Sequence, residues 1–249
     1  MTERRTTSGA PVLLLHGIQS GPSTWWRVGA DLRTLGFTVV TPTIPGNAGT
    51  PVPADATTGS LADAVLPDRP VFVVGRSLGA IDALELAARH PGLVTGLVLE
   101  DPPARSTVDP EQIAADAVSD AERARADPVG YRDLLLREHP LWGRQDAEHA
   151  VENRAWVDGA RAAGPLRRAD WDLVAMRRAV EVPVTLLAAT PPASLLGGPE
   201  RARLLRSADA VTEVESGHNI HRDRPGVWVA VVAAAARSPL PSATGREGA

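Results

Sequence analysis

Short unbroken apolar runs recur along this chain, separated by stretches in which apolar residues return every three or four positions. The runs at residues 12–15, 37–41, 71–74, 97–99 and 184–187 are continuous rather than alternating, as in parallel strands buried on both faces. A weaker run at 211–214 predicts one more strand. Helices are predicted between the runs. Ser23 is placed to cap a helix that reaches Leu35 and is closed by Gly36. Residues 78–89 carry apolar side chains at helical spacing and stop ahead of His90-Pro91. Residues 225–236 form an apolar closing helix with proline at its start. Strand alternating with helix implies right-handed crossovers and an α/β fold: a mostly parallel central sheet of about six strands with helices on both faces.

That rhythm fails between 102 and 179, a stretch rich in Arg, Asp, Glu and Ala with Trp142, Trp156 and Trp171 spaced along it. The stretch contains no strand-like run and predicts a helical insertion after the strand ending at Glu100. Residues 1–101 and 180–237 would then be the core. Residues 238–249, rich in Pro, Ser and Gly, read as a disordered tail.

Composition narrows the function classes. A chain of 249 residues suits one α/β domain carrying an insertion, or two small domains, and 43% hydrophobic content is ample for a core. The net charge is −4, all 26 basic residues are arginine, and no basic block forms, so no nucleic-acid partner is expected. The absence of cysteine removes disulfides, thiolate metal sites and a cysteine nucleophile. The opening residues lack the apolar run of a secretory signal, and no window reaches about 18 apolar residues, so a cytoplasmic chain without a membrane partner is expected. Nothing implies a metal or an organic cofactor.

The chemistry concentrates at Gly75-Arg76-Ser77-Leu78-Gly79, between a predicted strand and a predicted helix. That context gives a Gly-x-Ser-x-Gly pattern its meaning: small flanking residues let strand and helix approach, and the serine sits on a strained turn with its hydroxyl exposed. The Leu78 N–H lies at the helix N-terminus, where the dipole favours a developing negative charge. Serine needs a base within hydrogen-bond reach, itself oriented by an acid. Of the six histidines, His90, His139 and His149 fall at a helix end or in the polar insertion. His218, after the last weak strand, is the leading base, with His221 as the other candidate; loops after strand C-termini are where α/β sites assemble.

"LLLHG" at 13–17, "GRSLG" at 75–79 and "GHNIHRDRP" at 217–225, with "PTIPGNAG" at 42–49, resemble the α/β-hydrolase superfamily in order and spacing. The resemblance runs from about residue 11 to 236. It implies that the insertion caps the site, that the backbone N–H groups of Ile18 and Leu78 form the oxyanion hole, and that His16 supports the loop without moving protons. It also implies an acid after the strand that follows the cap, where this chain has Thr190. The strand before the cap ends in Glu100-Asp101, an arrangement some members of the superfamily use. Side chains alternate along a strand, so one of the two is expected to reach His218; Asp101 is favoured and Glu100 is the alternative.

The function expected is a serine hydrolase acting on a small ester or related acyl substrate through Ser77, His218 and Asp101. Trp25, Trp26 and Trp142 are candidate pocket residues, implying an apolar acyl or alcohol part. Arg76, beside the serine, is expected to face solvent. Two other readings stay open. One is a degenerate fold that binds a ligand, motivated by Thr190; the other is a retained site turned to cyclisation, carbon–carbon cleavage or perhydrolysis.

Overall fold

The computed structural model describes residues 10–47, 50, 58–157 and 170–238. Its sheet has six strands in the order β2-β1-β3-β4-β5-β6, every neighbouring pair parallel. They are β1 (Val12–Leu15), β2 (Val39–Val40), β3 (Val71–Arg76), β4 (Val94–Glu100), β5 (Val184–Ala189) and β6 (Ala210–Val214). The helices are α1 (Trp26–Thr34), α2 (Thr58–Asp63), α3 (Leu78–Arg89), α4 (Pro110–Ala126), α5 (Pro128–Glu138), α6 (Arg144–Ala155), α7 (Leu173–Arg178), α8 (Gly198–Ser207), α9 (Ile220–Asp223) and α10 (Pro225–Arg237).

Alternation along the strands divides the core. Leu13, Leu15, Val73, Leu97, Leu99 and Leu186 pack with α3 and α7 on one face. Val12, Leu14, Phe72, Val74, Val98 and Leu187 pack with Trp25 and Trp228 on the other. Burial on both faces explains the unbroken apolar runs, and each such side chain contributes about 1.5–3 kcal/mol. The edge strands depart from the pattern for the opposite reason. β2 is paired only at Val39–Val40 within the expected 37–41, and β6 read weakly because Ala210, Val211 and Glu213 are exposed.

The strand order turns at β1: the chain passes from β1 outward to β2, then crosses to β3 on the far side. Such a switch leaves a crevice beyond the carboxyl ends of β1 and β3, and the histidine after β1 and the serine after β3 both emerge there.

One feature differs from the sequence reading. Ser23 lies inside a 3-10 turn, Pro22–Trp25, and caps nothing; its hydroxyl donates to Asn153 Oδ1 at 3.0 Å instead, and α1 begins only at Trp26. Within the insertion, α4, α5 and α6 share a small apolar cluster of their own around Tyr131, Leu135 and Trp142, whereas Trp171, Leu173 and Val174 pack into the main core. The residues expected to form a disordered tail lie, apart from Ser238, outside the described residues.

Candidate active site

Ser77 occupies the corner between β3 and α3 with φ 56° and ψ −124°, a left-handed backbone that costs about 1–3 kcal/mol for a residue with a side chain. The corner is too tight for larger neighbours. A Cβ on Gly75 would lie 2.1 Å from the Gly79 carbonyl oxygen, and one on Gly79 would lie 2.4 Å from that of Leu15. The Ser77 N–H donates to the Glu100 carbonyl at 2.9 Å, fastening the corner to the end of β4.

A cavity of about 380 Å³ adjoins this corner and is lined by both Ser77 and His218. His218 follows β6 in the loop leading to α9, and its Nδ1 lies 2.6 Å from Asp101 Oδ2. A carboxylate can only accept, so Nδ1 carries the proton and Nε2 offers its lone pair. Burial, and after it the Arg76 charge, hold the ring's pKa below the ordinary value, against the pull of Asp101 and Glu100. His218 is therefore neutral at neutral pH, the state in which it can accept a proton.

Asp101 is fully buried and sits just past β4 with φ 41°. Its carboxylate also accepts the Ala189 N–H at 3.1 Å, the Leu195 N–H at 3.0 Å and the Ser194 hydroxyl at 2.5 Å. All three donors belong to β5 or the segment after it. That segment, where Thr190 replaces the expected acid, thus supplies donors to a carboxylate arriving from β4. Thr190 itself gives its N–H to the Val214 carbonyl at 2.9 Å.

Glu100, the alternative acid, lies against the other histidine. Its Oε1 accepts from His221 Nδ1 at 2.8 Å and from the His221 N–H at 3.0 Å, and Oε2 accepts the Trp228 indole N–H at 2.8 Å. On the far side of the ring, His221 Nε2 is 3.0 Å from Thr24 Oγ1, which accepts from Arg222 Nη2 at 2.9 Å. With His221 neutral, held below the usual histidine value chiefly by burial, the Thr24 O–H donates to Nε2. A directed chain then runs from the Glu100 carboxylate to the Arg222 guanidinium. Sequence reasoning missed the Thr24 and Arg222 links. The available signal was numerical: two histidines in "HNIH" faced two adjacent carboxylates, so both acids had a partner waiting.

Ile18 and Leu78 both line the cavity. The Leu78 N–H stands in the first turn of α3, where a helix supplies no acceptor of its own. His16 braces the loop that carries Ile18: its Nδ1–H donates to the Gly17 carbonyl at 2.9 Å, and its Nε2 accepts the Ile44 N–H at 3.2 Å. Burial lowers its pKa to about 4, so it stays neutral.

The aromatic expectation is corrected. Trp142 lines the cavity, but Trp25 and Trp26 do not. Trp25 is a core residue, its ring centroid 4.7 Å from that of His221, and the Trp26 indole N–H donates to Asp146 at 2.9 Å. Arg76 does not face solvent either. It is buried and gives Nη2 to Asn219 Oδ1 at 2.5 Å, beside His218. The rest of the cavity wall comes largely from α4 and α6, including Asp120, Arg123 and Arg154. Among the described residues no group of three or more His, Cys, Asp or Glu side chains could hold a metal ion, and no helix is long and apolar enough to cross a membrane.

The model of the alpha/beta hydrolase family matches residues 12–232. A pimeloyl-[acyl-carrier protein] methyl ester esterase of Aromatoleum aromaticum is 41% identical over 106 residues, 42% of this chain and 42% of that one. The match thus spans less than half the length of that relative. The protein of the same name from Methylococcus capsulatus is 31% identical over 241 residues, 88% of each chain. A thermophilic esterase from Thermogutta terrifontis shares the fold, with a TM-score of 0.66 and 22% identity over 91% of this chain and 89% of that one.

Proposed function

The chain belongs to the alpha/beta hydrolase family, and from that premise we propose that it hydrolyses a carboxylic ester through Ser77, His218 and Asp101. The observation that carries the reading is the 2.6 Å contact between His218 Nδ1 and Asp101, made by a histidine that lines the same cavity as Ser77. Relatives named as methyl ester esterases over 88% of the chain support the bond type.

The steps follow from the groups present. Ser77 Oγ attacks the ester carbonyl carbon while His218 Nε2 takes its proton, and the imidazolium is stabilised by Asp101. The carbonyl oxygen becomes an oxyanion, received by the N–H groups of Ile18 and Leu78; such a donor contributes about 100–1000-fold in rate. Collapse breaks the bond to the alcohol oxygen, which leaves with the proton from His218. Water, deprotonated by the same nitrogen, then attacks the acyl-enzyme carbonyl and releases the acid and Ser77. Helices α4 to α6 serve as the cap, within the expected span 102–179, and small ester molecules are the partners. The reading of a site without an acid gains no support, because its motive was Thr190 and Asp101 stands against His218.

Labelling with a serine-directed fluorophosphonate tests the proposal. An adduct at Ser77, together with loss of ester turnover in Ser77→Ala, is expected. Folded protein that takes no adduct at Ser77 would sink the enzyme reading.

A further inference from the structure

Three guanidinium groups crowd the wall of the Ser77 cavity, and none is fully partnered. Arg76, Arg154 and Arg222 all line it; Arg76 and Arg222 are 8% and 6% exposed. Each keeps a buried N–H without a hydrogen-bond partner: Nε of Arg76, Nε of Arg222 and Nη1 of Arg154. Their direct contacts are with neutral groups, apart from the ion pair of Arg154 with Asp120. Arg222 gives Nη2 to Thr24 and lies 4.4 Å over the Trp142 ring. Arg76 gives Nη2 to Asn219. Arg154 lies 5.7 Å over the Tyr131 ring, with Nε 3.6 Å from Asp120.

Gathering like charges in an interior is costly, and orphaned donors add to that cost. Burial and the charges of Arg76 and Arg154 depress Arg222 to about 9, so it keeps its proton at neutral pH. An anion in the cavity would offset the like-charge cost. We infer that the ester this site accepts carries a carboxylate on its acyl or alcohol part, bound by Arg76, Arg154 and Arg222. The inference rests on the hydrolase reading and names its substrate class. A guanidinium fork matches a carboxylate in geometry as well as charge. A carboxylate fits better than a phosphate dianion because Asp116 and Asp120 also line the cavity, and four arginines against two aspartates leave a modest positive excess. The volume of about 380 Å³ suits a small ester.

The test compares monomethyl glutarate with methyl pentanoate, which differ only in a carboxylate for a methyl group, by release of methanol. Wild-type kcat/KM is expected to favour the anionic ester at least tenfold. That ratio should fall at least tenfold in Arg222→Gln, and also in Arg154→Gln, whose partly exposed position makes misfolding a lesser concern. Fluorophosphonate labelling of Ser77 reports whether each variant retains its site. Free glutarate should slow that labelling in wild type more than inorganic phosphate does. Equal or better turnover of methyl pentanoate, an unchanged ratio in both variants, or stronger protection by phosphate would overturn the inference while leaving the hydrolase reading intact. Absence of labelling at Ser77 in wild type would instead remove the hydrolase reading and this inference with it.

Discussion

Asp101 and His218 are 117 positions apart in the chain and 2.6 Å apart at Oδ2 and Nδ1, while the residue before Asp101 holds a different histidine. The peptide link between Glu100 and Asp101 thus separates a buried carboxylate–imidazole pair from one whose ring is part-exposed.

The two acids should separate in kinetics. Asp101→Asn is expected to lower kcat by about 1,000–10,000-fold, because the amide cannot stabilise the imidazolium and favours the wrong tautomer. Glu100→Gln should cost far less in kcat and more in stability, since it disturbs a buried site accepting from His221 and Trp228. Steady-state rates and thermal melts on both variants check this; the reverse ranking would exchange the roles.

Activity should fall on the acid side as His218 gains its proton. Because its pKa is depressed below 6.5, the acidic limb of kcat/KM is expected below that pH. Arg76 is the second cause of the depression after burial, so Arg76→Gln should move the limb to higher pH. A profile on the neutral ester methyl pentanoate reads this without the anion-binding role of Arg76; a limb that stays in place would refute the electrostatic account.

Gly79→Ala is expected to disrupt folding or the corner itself, because its Cβ would lie 2.4 Å from a backbone oxygen of β1 that cannot move aside cheaply. Soluble yield, melting temperature and Ser77 labelling should all drop. A stable variant with normal labelling would contradict the geometry.

Asp82 on α3 is buried with Oδ1 unpartnered, and burial raises its pKa well above 3.8. Below that value both folded and unfolded chains hold the proton and the group contributes nothing. As pH rises, the unfolded chain releases the proton first, so the native state loses stability. Asp82→Asn should therefore melt higher than wild type, by roughly 2–4 °C per kcal/mol recovered. The margin should widen from about pH 4 upward. Melting curves across pH measure it.

The pattern of the chain made the sheet legible because buried parallel strands need unbroken apolar residues, and the serine corner because only glycines fit around it. The partner of His218 was legible as a choice of two, since strand alternation places adjacent side chains on opposite sides. Other features turned on long-range packing that no local pattern encodes. Trp25 and Trp26 looked like pocket residues from their position after the first loop, yet one fills the core and the other faces Asp146. Arg76 looked solvated from its charge, yet Asn219, 143 positions away, holds it inside.

The carboxylate against His218 comes from before the α4–α6 segment, not after it. The strand ends that present Ser77 and Asp101 precede the α4–α6 segment, while the histidine loop and the β5 segment that donates to Asp101 follow it. Lengthening, shortening or exchanging α4–α6 would leave the stretch of chain between Ser77 and Asp101 unaltered. Under the proposed function, variation within α4–α6 would reshape the cavity wall while sparing that stretch of chain.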